Sequence, residues 1–461
     1  MDKKQPTALD ETGSKPQYPA RSGFVSVLWS RSKMLKILEK ATTATQQQNW
    51  SLVNQCLQQL PLEKNGAKSL PLDEGELQQT LNLALDVLNL GDFQERWDVA
   101  KVFSKLGERA IAPLIEILQD DEAGLELRWF TARILGEFNH PYVITTLVEL
   151  LKTAEDEDLA EMAAVALSSM GKSAVDALAD LLADSQTRLL ATQSLSQIRR
   201  PEIIEPLLSV VQDADVTVRA TAIEALCSFH DSRIPPALIE ALDDHAAAVR
   251  KEAVIGLGLR SDLWQKLDLL DHIKPLLYDF NWQVCQEAAV ALGRSRTDEA
   301  AQALFEVLQS PATPVPLQID LVRALAWVGT AKAVEYLQQA LPFVSTECTH
   351  EIVKVLGRME RPTLQAQAAQ ILLDLFHSQH PATQLATFKQ TLAQAWGQLG
   401  DISAIDALVK LLADPVESVR LHAIAALKNF PTAYQQLQQL ATDENLTSDL
   451  KQGVAIALAE W

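Results

Sequence analysis

Val218-Arg219-Ala220-Thr221-Ala222-Ile223-Glu224-Ala225-Leu226 places apolar or small residues at 218, 222, 223 and 226, the spacing of one helix face. The same phrase returns as Val249-Arg250-Lys251-Glu252-Ala253-Val254-Ile255-Gly256-Leu257-Gly258 and as Val419-Arg420-Leu421-His422-Ala423-Ile424-Ala425-Ala426-Leu427. Acidic residues precede each copy: Asp213 and Asp215, Asp243 and Asp244, and Asp414. Working outward from these copies, one Leu closes every phrase. It recurs as Leu106, Leu135, Leu167, Leu195, Leu226, Leu257, Leu292, Leu325, Leu356, Trp396 (in place of Leu), Leu427 and Leu458. The median spacing is 31 residues, which holds two helices of about three turns each and two short turns.

Counting back from this anchor, position −4 is mostly Ala and position −8 mostly Val or Leu. A small residue in the middle of an apolar stripe lets a neighbouring helix approach closely. After each anchor comes a second, Leu-rich helix, with Pro113, Pro206, Pro236 and Pro275 near its start, where a missing N–H costs nothing. One such hairpin cannot cover its own apolar face, so stacking must supply the core. The expected fold is all-α: an α-solenoid of about eleven hairpins over residues 91–461, with Leu450 to Trp461 as a closing half repeat. Residues 24–90 lie outside the period and read as an N-terminal helical cap, with helices near Phe24 to Leu38, Trp50 to Leu60 and Glu76 to Leu90. Residues 1–23 are polar, carry three prolines and read as a disordered tail. Long intervals imply inserted turns at about 260–272 and 376–385.

The motifs quoted above resemble HEAT repeats, and in particular the short repeat of phycobilisome lyases of the E/F type. The resemblance implies a protein-interaction scaffold or adaptor whose concave surface, lined by the second helices, grips a partner during assembly, maturation or turnover of a complex such as the phycobilisome. The implied partner is a phycobiliprotein or a second HEAT-repeat chain. The alternative it implies is a bilin lyase or lyase subunit, with a linear tetrapyrrole as substrate and the attacked thiol on the phycobiliprotein. One relative of this repeat class assists phycobilisome breakdown without lyase chemistry.

Composition narrows the classes further. The 461 residues hold 40 Lys and Arg against 60 Asp and Glu, a net charge of −20, and Gly and aromatic residues are scarce. That balance disfavours sandwiches and barrels, and it repels nucleic acid. Residues 1–40 are net +4 and the remainder −24, so the acidic array is suited to a basic or polar protein partner. No apolar run reaches the length of a membrane span, and no leader is evident, so the chain reads as cytoplasmic. Cys56, Cys227, Cys285 and Cys348 are too far apart for a CxxC-type ligand pair and read as buried free thiols.

Candidate site residues are few. Arg128, Arg188, Arg219, Arg250 and Arg420 stand seven before the anchor. Such a row can hold phosphate or carboxylate ligands, but Asp recurs with the same period, which favours an internal ladder of Arg–Asp bonds. Trp129 and Phe130 occupy positions that are mostly polar or small in other repeats, beside Arg128 and one repeat after Arg96-Trp97. Trp97, Arg128, Trp129 and Phe130 are therefore the candidate partner-binding residues, unless the cap covers them. Only His350-Glu351 forms a His-Glu pair, too few for a metal monooxygenase of the deoxyhypusine hydroxylase kind. His377 and His380 sit in a loop without further ligands, and no nucleotide or nucleophile motif is present. The expectation is no catalytic residue, no metal and no cofactor.

Overall fold

Short polar side chains start many of the helices. Asp73 with Glu76 and Asp92 with Glu95 form capping boxes, while Asp156, Asp215, Asn281, Thr297, Thr330 and Ser345 each accept a bond from a first-turn N–H. A computed structural model describes residues 31–62, 72–378 and 380–461, and among them there are helices and turns but no strand. The expected tail at 1–23 and the stretch from Phe24 to Ser30 lie outside the described residues. The chain divides into two compact units, Met1–Val143 and Ile144–Trp461.

In the first unit the helices are α1 (Arg31–Gln46), α2 (Trp50–Gln58), α3 (Glu74–Leu90), α4 (Phe93–Leu106), α5 (Ile111–Gln119) and α6 (Leu125–Leu135). The boundary expected at residue 90 falls inside this unit, between α3 and α4. Its core holds Met34, Leu38, Leu57, Leu81, Leu88, Phe103, Leu114 and Leu118, all fully buried. Asn54 is buried with them and donates from Nδ2 to the Glu95 carbonyl at 2.9 Å, tying α2 to α4.

Helix α7 (Pro141–Thr153) leads into the second unit. There the hairpins follow as α8 (Glu157–Ser169), α9 (Lys172–Leu181), α10 (Arg188–Gln197), α11 (Ile204–Leu208), α12 (Val216–Leu226), α13 (Ile234–Ala241), α14 (Ala247–Gly258) and α15 (Leu269–Ile273). They continue as α16 (Trp282–Ser295), α17 (Asp298–Leu308), α18 (Val315–Val328), α19 (Ala331–Ala340), α20 (Thr346–Gly357), α21 (Pro362–His377), α22 (Ala386–Leu399), α23 (Ile405–Leu411), α24 (Glu417–Leu427), α25 (Ala433–Ala441) and α26 (Ser448–Ala459). Even-numbered helices carry the anchors, and Leu167, Leu195, Leu226, Leu257, Leu292, Leu325, Leu356, Trp396 and Leu427 are all fully buried. Pro206 and Pro236 lie in the first turns of α11 and α13, where the helix asks for no N–H donor. The long intervals are filled by short 3-10 turns at Ser261–Leu263 and Pro381–Gln384 and by a 16-residue α21.

Within this unit the anchor helices α8 to α24 pack directly on one another in order, whereas the Leu-rich helices meet each other over much less of their length. Gly258 and Gly357, each directly after its anchor, show why. A Cβ on Gly258 would stand 2.7 Å from Ala291 Cβ, and one on Gly357 would stand 2.7 Å from Ala395 Cα and Cβ. The anchor helices are thus a closely packed row within this unit.

Candidate functional site

The first unit gathers the aromatic candidates in one cluster. Phe130 is fully buried, with its ring edge-on to Phe93 at 5.1 Å and to Trp129 at 5.2 Å. Trp129 is half-buried, and Trp97 is exposed beneath the Arg133 guanidinium, 3.8 Å from the ring centroid. Arg128 turns away from them, donating to the Leu118 carbonyl at 3.1 Å and pairing with Asp121 at 3.5 Å. Accessible aromatic surface in this cluster thus belongs to Phe93, Trp97 and Trp129, with Phe130 in the core. Phe93 and Arg133 were not singled out from sequence, although each lies three or four residues from a candidate on the same helix.

In the second unit the arginines seven before the anchor form a ladder. Arg188 donates to Asp213 at 2.7 Å and to the Leu182 carbonyl. Arg219 grips both carboxylate oxygens of Asp244 at 2.7 and 2.8 Å, and also the carbonyls of Asp213 and Ala214. Arg250 repeats this on Asp279 and on the carbonyls of Asp244 and His245. Each carboxylate in turn accepts an N–H of its own turn, from Asp215, Ala246 and Asn281 respectively. The Arg219 guanidinium holds the Asp244 carboxyl below its usual range. Burial pushes Asp279 up, but Arg250 and the Asn281 N–H outweigh it and hold that carboxyl down as well. The ladder occupies these arginines fully, so they serve the fold. Further along, Lys389 pairs with Asp414 and Arg420 bonds the Asp414 carbonyl.

The solvent side of the anchor row is where the repeats differ. Positions −2 and +2 from the anchor point outward. On α8, α10 and α12 they hold Val165, Gln193, Gln197, Glu224 and Ser228, and a hollow of about 490 Å³ there is lined by Glu161, Val165, Leu190, Gln193 and Glu224. On α16, α18 and α20 the same positions hold Val290, Arg294, Arg323, Trp327, Lys354 and Arg358. Trp327 is 53% exposed. With Arg323, Ala326, Glu351, Arg358 and Met359 it lines an open hollow, also about 490 Å³, and Arg358 borders a second hollow with Lys354, Gln394 and Gln398. Beneath the cations lie Asp320 and Glu351, whose side chains are 14% and 12% exposed. Arg323 bonds Glu351 at 2.6 Å and Asp320 at 3.4 Å. Burial raises the Asp320 carboxyl against the pull of Arg323. The sequence signal for this group is the recurrence of Arg, Lys and Trp at −2 and +2 over three successive anchors.

On the other row, the inserted turn at 260–267 borders an open, mostly apolar hollow of about 680 Å³ with Pro235, Pro236, Ile239, Leu263 and Leu267. His350 is half-buried, bonded through Nδ1 to the Thr346 carbonyl and edge-on to Phe388. Among the described residues no three His, Cys, Asp or Glu side chains converge as metal ligands would. The thiols are all free, and burial raises each of them, Cys227 and Cys348 to about 12. No helix among the described residues is long and apolar enough to cross a membrane.

Comparison with known proteins bears on the fold. No curated protein sequence matches the chain. Among solved structures, a mutant of Kap121p aligns at 13% identity over 93% of this chain and 53% of its own, with a TM-score of 0.55. A chain of the AP-3 complex, in a homology model of its intermediate open conformation, aligns at 13% identity over 93% of this chain and 90% of its own, TM-score 0.53. Importin beta aligns at 14% identity over 93% and 64%, TM-score 0.49. At such identities the first two speak for the fold alone. Residues 111–196, 183–258, 204–278 and 234–317 match the family of HEAT repeats in general. The period read from Val218 to Leu226 is thus that of HEAT repeats, which run through residues 111–317, and the described residues around them are helices and turns.

Proposed function

We propose that this protein is an interaction scaffold that holds a protein partner along the solvent side of its anchor-helix row in residues 144–461. The observation that carries the reading is the division of labour on those helices. The −8, −4 and anchor positions build the core in every repeat, and on α10, α12 and α14 the arginines seven before the anchor close the turns. The outward positions change chemistry from mostly uncharged polar side chains on α8–α12, where they include no cation, to basic and aromatic on α16–α20. A surface of that kind recognises by area and pattern.

On the motif resemblance, the partner class to be tried first is a phycobiliprotein, with or without its linear tetrapyrrole. The test is capture of the native partner followed by residue-level cross-linking. Cross-links concentrated on outward positions of α8 to α24 are expected. Cross-links confined to the Leu-rich helices would overturn the assignment of the face. Purified chain titrated with phycocyanobilin reports separately on the tetrapyrrole through its visible absorption.

A further inference from the structure

Residues 144–461 contain 24 Lys and Arg against 41 Asp and Glu, a net charge of −17. Against that background, no outward −2 or +2 position on α8, α10, α12, α14, α22 or α24 carries a cation. On the three successive helices α16, α18 and α20, four of the six such positions are Arg or Lys, and none is acidic. Arg294, Arg323, Trp327, Lys354 and Arg358 are all exposed, while the carboxylates beside them, Asp320 and Glu351, lie mostly covered. The exposed charges at these outward positions are therefore cationic, with Glu287, Asp320 and Glu351 set back between them. Arg294 and Arg358 have no ion-pair partner among the described residues, so their charge is available to a ligand. Trp327 stands in the same hollow as Arg323 and Arg358.

We infer that this part of the face takes an acidic segment of the partner protein, with one apolar or aromatic side chain seated on Trp327 and carboxylates on Arg358 and Arg294. The inference rests on the scaffold reading and names the partner's chemistry. An indole flanked by guanidiniums offers an apolar platform for one side chain and forked donors for its acidic neighbours. A basic partner finds like charge at these positions. Nucleic acid, with a phosphate at every nucleotide, finds too few cations.

The full chain is titrated, by fluorescence anisotropy, against a short labelled Glu-rich peptide carrying one Phe. Its Lys-rich counterpart, the Phe→Ala peptide and a single-stranded oligonucleotide serve as comparisons. The acidic peptide is expected to bind, and to weaken with added salt. Arg294→Glu with Arg358→Glu is expected to weaken it at least about tenfold, and Trp327→Ala about tenfold, matching the loss from removing the peptide's Phe. All three positions are exposed, and circular dichroism confirms that each variant keeps its helices. Arg199→Glu with Arg200→Glu, an exposed basic pair outside the face, is expected to change nothing. Equal binding of the Lys-rich peptide, stronger binding of the oligonucleotide, or full affinity in the double variant overturns the inference. In that event, cross-links from the native partner to α8–α12 would still sustain the scaffold reading, so the two fail separately.

Discussion

Arg219 makes four hydrogen bonds, two to the Asp244 carboxylate and two to carbonyls of the preceding turn, with its side chain only 12% exposed. Replacing it with Ala leaves Asp244 and two carbonyls short of donors, at a cost of about 3 kcal/mol in the stability of this region. Urea melts followed by hydrogen exchange at α12 and α14 read that loss, with Arg219→Lys expected to recover only part because it lacks the fork. The pH dependence has a definite sign. Asp244 is held below its unfolded value of 3.8, so its contribution is present above that value and is lost as pH falls through the lower folded value. Asp244→Asn is expected to lower stability at neutral pH and to flatten its fall below about pH 4. Equal acid slopes in the two proteins would contradict this. These pairs were legible because Arg and Asp recur with one period. Phe130 was not, since its burial depends on Phe93, a residue of the preceding hairpin helix with no repeat counterpart.

At the level of the helix, close approach decides what substitution does. Gly in helical conformation ordinarily gains from replacement by Ala, by up to about 1 kcal/mol through backbone entropy. Gly357 closes α20, and its missing Cβ would stand 2.7 Å from both Cα and Cβ of Ala395 on α22. Helix against helix leaves no flexible side-chain tip to yield, so Gly357→Ala is expected to destabilise by about 1–3 kcal/mol. The parallel substitution Gly400→Ala meets nothing within 4 Å and is strained only through its φ of 65°, so it separates clash from backbone preference in the same melting experiment. The Gly after the anchor and the Ala one before the next anchor were both visible in the sequence. That they face each other across neighbouring helices needed three-dimensional register. A list of apolar positions in single helices does not contain it.

Along the whole stack the ladder is discontinuous, and its interruption coincides with the basic, aromatic part of the face. It runs unbroken from Arg188 through Asp213, Arg219, Asp244 and Arg250 to Asp279. The next three anchor helices carry Cys285, Gln318 and Thr349 at the arginine position, and each bonds only a carbonyl of its own turn. Ser310 stands where the ladder's next Asp belongs, twenty-five residues after Cys285 as Asp213 is after Arg188, and its Oγ accepts the Ala312 N–H as Asp213 accepts that of Asp215. Cys285→Arg with Ser310→Asp should therefore extend the ladder by one rung. Alone, the arginine sits in a mostly buried site without its carboxylate, and the aspartate gains a charge without its partner, so each single variant is expected to be neutral or destabilising. Together they are expected to show a coupling of about 1–3 kcal/mol in a double-mutant cycle. Slower amide exchange at residues 310–316 would mark the new rung locally. A coupling near zero would mean that the period of the ladder is set by the turns rather than by the Arg–Asp bonds that join them.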